Sequence, residues 1–191
     1  TKKQLIALCS ILCATSANAS VTLAFQFLSL RDAAGAALTD GSTVAIFANT
    51  SGNNVASLGT SLSGATLEEG SSYGGDLLLA LGSTVTDAGD KGFFNIDSRL
   101  YDLSNNIAAG TEFALVWFDS TSSTINNGVS YGLFQSTSAI DSVDNAALVR
   151  PGDGATVNIG YSDTEFGASA SVADFTADMT VVPEPSSTAL L

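Results

Sequence analysis

Histidine is absent from this chain, and cysteine is nearly so. Without histidine there is no Ser-His-Asp triad, no imidazole acid–base catalysis and no His-ligated zinc. The two cysteines, Cys9 and Cys13, both fall in an apolar stretch near the start. Leu8 and Leu12 precede them, so neither has the small-residue context of a lipid-anchored cysteine. Downstream of that stretch the chain is limited to chemistry without thiols: no disulfide, no cysteine nucleophile, no Cys-zinc site. Basic residues are also scarce, six against 19 acidic. Beyond Lys2 and Lys3 only Arg31, Lys91, Arg99 and Arg150 remain. Four scattered cations cannot build the basic surface that nucleic acid or anionic lipid requires. A single interior lysine is a poor basis for Schiff-base or phosphate chemistry, and there is no P-loop or dinucleotide fingerprint.

The first 19 residues have the form of an export leader. Lys2 and Lys3 are a basic start, Leu5 to Ala14 is apolar all round, and Ala17-Asn18-Ala19 is an Ala-x-Ala cleavage site. Cleavage there makes Ser20 the first mature residue and leaves a net charge of −15, four basic against 19 acidic side chains. About 160 residues then remain before the tail, enough for one hydrophobic core without disulfides. An acidic surface of this kind attracts cations or neutral, hydroxyl-rich partners.

At the other end lies Val182-Pro183-Glu184-Pro185-Ser186-Ser187, then Thr188-Ala189-Leu190-Leu191. Pro183 and Pro185 fix φ, lack an N–H, and push Val182 and Glu184 to extended geometry. The hydroxyls of Ser186 to Thr188 suit a helix N-cap, and Ala189 to Leu191 suit its first apolar turn. This segment resembles the PEP-CTERM sorting signal of bacterial surface proteins, over about ten residues. The resemblance implies processing by an exosortase-type membrane enzyme, transient membrane anchoring, and delivery to the cell surface or the exopolysaccharide matrix. In that family a membrane-spanning helix and a basic cluster follow the motif. A span needs about 20 apolar residues, so the expectation is that such a segment lies beyond Leu191. The expected organisation is a signal peptide over 1–19, one domain over 20–182, and the start of a sorting segment over 183–191.

Between these ends, short apolar runs alternate with Gly, Ser, Asn and Asp. That pattern predicts an all-β domain, a single β-sandwich or jelly-roll-like fold. Val21 to Leu30 predicts a strand with Val21, Leu23, Phe25 and Phe27 on one face. Thr43 to Ala48 predicts another. Asn49 to Gly75 reads as a long loop with a weak strand at Val55 to Leu58. Asp76 to Leu81 fits a strand or a helical turn pair, and Phe93 to Leu103 is ambiguous after Ser98. Glu112 to Phe118 is apolar on both faces, the mark of a central strand. Asn126-Asn127-Gly128 signals a turn, with Val129 to Gln135 as hairpin partner. Ile140 to Val149 suits a short helix and Pro151 to Gly154 a turn. Ala155 to Ile159 and Phe175 to Val182 complete the strands.

The chemistry left open is that of carboxylates and hydroxyls. A glycosidase needs two carboxyl groups at a set separation; Glu112, Asp119, Glu68, Glu69, Asp163 and Glu165 are the candidates. Glu112 and Asp119 bracket the most apolar strand and read better as its polar ends. Calcium is the one cofactor the composition suggests. Asp87 and Asp90 of Asp87-Ala88-Gly89-Asp90-Lys91-Gly92, and Asp141 and Asp144, are the weak ligand candidates, although a Gly/Asp turn explains the first group better. Sugar contact calls for exposed aromatics; Tyr73 and Tyr161 lie in Gly/Ser-rich surroundings, whereas Trp117 has core flanks. Asn49-Thr50-Ser51 is a nominal glycosylation sequon. The expected function is non-enzymatic: a surface or matrix protein with a structural or adhesive role, for which exopolysaccharide or cell-surface glycans are candidate partners. The alternatives are a carbohydrate-binding module, calcium-assisted or not, and a two-carboxylate glycosidase-like enzyme.

Overall fold

The computed structural model describes residues 20–53, 58–103, 107–137, 147–161 and 172–183. They form an all-β sandwich. The strands are β1 (Ser20–Phe27), β2 (Thr43–Ala48), β3 (Ala65–Thr66), β4 (Ser72–Tyr73), β5 (Asp76–Ser83), β6 (Val85–Asp87), β7 (Asp90–Asp102), β8 (Phe113–Phe118), β9 (Thr124–Ile125), β10 (Ser130–Phe134), β11 (Thr156–Tyr161) and β12 (Met179–Thr180). One short helix, α1 (Leu58–Ser61), and a 3-10 turn (Val172–Phe175) complete the described elements.

One sheet runs β11-β1-β7-β6 and the other β12-β10-β8-β2-β5-β4. Strand alternation sends Val21, Leu23, Phe25 and Phe27 from the first sheet against Val44, Ile46, Phe113, Leu115 and Trp117 from the second. These side chains are buried and form the main core. Phe25 meets Tyr101 and Phe113 edge-on, and Phe27 stacks on Phe94 and Tyr161. Each fully buried side chain of this size stabilises the fold by about 1.5–3 kcal/mol.

The six-stranded sheet is covered on its second face too. Ala45, Phe47, Leu78, Ala114, Val116 and Phe118 point away from the main core into a smaller cluster. Leu58 and Leu62, one helical turn apart, Leu67, the residue after β3, and Ile125 of β9 close over them. This second layer explains why all six residues of β2 and all six of β8 are buried. Leu58 thus opens a helical turn rather than ending the expected strand, and 54–57 lie outside the described residues.

Other expectations are refined in the same way. β5 is a strand, not a helical turn. β10 pairs antiparallel with β8, and Gly128 takes φ +82° in the turn before it. Val149 makes an antiparallel bridge to Glu112, so the end of the expected Ile140 to Val149 helix is extended; 138–146 lie outside the described residues. The expected last strand is reduced to Met179–Thr180, because Phe175 closes the 3-10 turn and packs on Trp117.

Two glycines allow close approaches. Gly132 is the register partner of Trp117, and a Cβ there would overlap the indole and lie 2.7 Å from Cη2. Gly92 has φ +73° and a Cβ would overlap the Leu30 carbonyl oxygen.

Candidate functional site

The two tyrosines expected to contact sugar have other roles. Tyr161 is fully buried, which corrects the expectation of exposure. It occupies the third inward position of β11 after Val157 and Ile159, and its ring packs on Phe27 and Phe134. Burial pushes its hydroxyl pKa up, against lowering hydrogen bonds with Ser136 and the Leu148 backbone. Tyr73 is half-buried edge-on against Phe47. Its hydroxyl donates to the Thr66 carbonyl (2.7 Å) and accepts from the Glu68 N–H (2.9 Å), so it fastens a turn.

The carboxylates are dispersed. Glu112 and Asp119 flank β8 at opposite ends. Seven residue steps at about 3.3 Å put their backbones ~23 Å apart, far beyond the 5–10 Å or so of a glycosidase pair. Glu69 pairs with Arg99 at 2.9 Å and accepts from the Leu81 N–H at 2.7 Å. Glu68 is exposed, and Asp163 and Glu165 lie outside the described residues. Asp87 and Asp90 face each other across the β6–β7 hairpin, whose two-residue loop is Ala88 (φ +50°) and Gly89 (φ +99°). Both positive φ values fit a type I′ turn, so the turn accounts for this sequence without a metal. Among the described residues no three His, Cys, Asp or Glu side chains converge as a metal cluster. Asp141 and Asp144 lie outside those residues, as do Ala17, Ala19, Glu184 and Pro185. Pro183 is exposed, two residues after Val181 anchors the chain to Val129.

Three features escaped the sequence reading. Arg99 joins the sheets at one edge: its guanidinium donates to the Leu79 carbonyl (3.0 Å), pairs with Glu69 and lies 4.6 Å over the Tyr101 ring. Leu79 is the residue skipped in the β2–β5 register, which explains why its carbonyl is free for a side chain. A half-open hollow of about 290 Å³ is lined by Thr50, Ser72, Gly75 and Leu77.

The third feature is the outer face of the four-stranded sheet. The six-stranded sheet is covered on both sides, whereas this face is open. Alternation and register place Thr22, Ala24 and Gln26 of β1 beside Asn95, Asp97, Leu100 and Asp102 of β7, and beside Thr156 and Asn158 of β11. Gln26 pairs directly with Asn95, and Ala24 with Asn158. Asn95 donates through its amide to Asp97 at 3.0 Å. Leu100 is 69% exposed, the most exposed large hydrophobic among the described residues.

No family model, curated protein or solved structure matches the chain. Its function is therefore argued from the residues themselves.

Proposed function

We propose that the chain is an exported protein of a bacterial surface or extracellular matrix, with a structural or adhesive rather than catalytic role. The observation that carries this reading is the fate of the chemistry-bearing side chains. Tyr161 is core, Tyr73 holds a turn, Glu69 is tied to Arg99, and Glu112 and Asp119 stand at opposite ends of one strand. In the described sandwich Tyr101 and Tyr161 pack in the main core, Tyr73 and Tyr131 pack in the second cluster, and Glu69 is paired with Arg99. The leader-like start and the Pro183-Glu184-Pro185 segment supply the address. The partners are an exosortase-type processing enzyme and surface or matrix glycans.

Cell fractionation of the producing bacterium tests the reading. An antibody to the sandwich should detect the protein in the surface and exopolysaccharide fractions. Detection in the cytoplasm alone overturns it.

A further inference from the structure

The open face of the four-stranded sheet is the one large described surface with no layer over it. We propose that it is the adhesive surface, and that its occupant is a neutral, hydroxyl-rich polysaccharide. The inference rests on the matrix reading above and names the surface that would perform it.

The side chains select the occupant. Gln26, Asn95 and Asn158 are exposed amides, each able to donate and accept. Gln26 and Asn95 lie on neighbouring strands about 4.8 Å apart, with Asn158 one strand further and one pleat back. Thr22 and Thr156, also register partners, add hydroxyls. The small Ala24 keeps the face low on β1, and Gly160 does so near the end of the edge strand β11. Leu100 pairs with Thr22 and offers apolar surface to the C–H side of a sugar ring. Sugar hydroxyls, which also donate and accept, match this mixture.

Charge disfavours polyanions and a second copy of this chain. Along β1, β11 and β7 the cations are Arg99, turned to Leu79 and Glu69, and Lys91, beside the β6–β7 loop four residues before Asn95. Asp97 and Asp102 are exposed on the face. A polyanionic glycan meets the exposed carboxylates of Asp97 and Asp102, with Lys91 as the one cation of these strands not tied into the sheet edge. A second copy stacked on the same face would set these carboxylates against their own kind. Nucleic acid fails for the same reason.

Native electrophoresis through gels containing dextran, hydroxyethyl cellulose or alginate tests this, since a chain of net charge −13 migrates readily. The full chain should be retarded by at least one neutral polymer and not by alginate. The triple variant Gln26→Ala, Asn95→Ala, Asn158→Ala removes three exposed amides and should bind roughly tenfold more weakly or worse. Asn126→Ala, in the turn before β10, should bind as the parent does. Circular dichroism confirms that the triple variant is folded; if it is not, Ala24→Glu, a single exposed-face charge, serves in its place. No retardation by either neutral polymer, or equal retardation of parent and face variants, overturns the inference. Fractionation would still judge the matrix reading separately.

Discussion

Replacing Gly132 by alanine adds one methyl group where the structure has no room for it. Gly132 is buried in β10 opposite Trp117 of β8, and its Cβ would overlap the indole. The indole cannot step aside freely. It packs edge-on against Phe175, and its Nε1–H donates to the Arg31 carbonyl at 3.0 Å. Overpacking of this kind costs about 1–3 kcal/mol. Losing the Nε1 hydrogen bond inside the core costs about another 1–3 kcal/mol. The expected loss is therefore about 2–6 kcal/mol, out of a total of roughly 5–15 kcal/mol for a domain. With an m-value of about 2 kcal/mol/M, the urea midpoint should fall by about 1–3 M. Trp117 is the chain's one tryptophan, so its fluorescence follows the transition. Trp117→Phe opens space at the same spot. The double variant, followed by circular dichroism, should be at least ~1 kcal/mol more stable than the two single losses predict, because the residues are in contact. A Gly132→Ala midpoint within about 0.3 M of the parent, or strictly additive losses, would refute the reasoning.

Other perturbations follow from the same packing. Gly92→Ala combines positive φ with overlap of the Leu30 carbonyl and should cost about 2 kcal/mol or more by urea unfolding. In the β6–β7 loop, Ala88→Asn suits the left-handed φ of +50° and should add several tenths of a kcal/mol. Asp90→Lys replaces a like-charge pair with Asp87 by an opposite-charge one and should stabilise by about 0.2–1 kcal/mol, less so in high salt. Tyr161, Tyr131 and Tyr101 have pKa values raised above 10.0, with burial the leading cause in each. The unfolded chain therefore ionises first, so their contribution is full below pH 10 and declines as pH rises through the folded-state values. Tyrosinate absorbance should lag behind free tyrosine until the fold opens; complete titration near pH 10 with the fold intact contradicts this.

The local pattern made several strands legible. Val21, Leu23, Phe25 and Phe27 alternate into the core as period two demands, and β2 matches its expected span. The two-faced β8 is indeed covered twice. What covers it was not legible: Leu58, Leu62 and Leu67 sit among Ser and Gly in a stretch that reads as loop. Parallel pairing of β11 with β1 joins residues more than 130 positions apart, and no local signal encodes that. Tyr161 follows Val157 and Ile159 inward by period two, a signal masked by the Gly and Ser residues on either side of it. The outer face was hidden for a different reason. Gln26, Asn95 and Asn158 are unremarkable singly and become a surface only through register.

The central claim, export to a surface or matrix, is tested most directly by the intact mass and N-terminal sequence of the protein recovered from the producer's exopolysaccharide. The account predicts a chain beginning at Ser20, the first residue of β1. Recovery only from the cytoplasm, with residues 1–19 still attached, would contradict it.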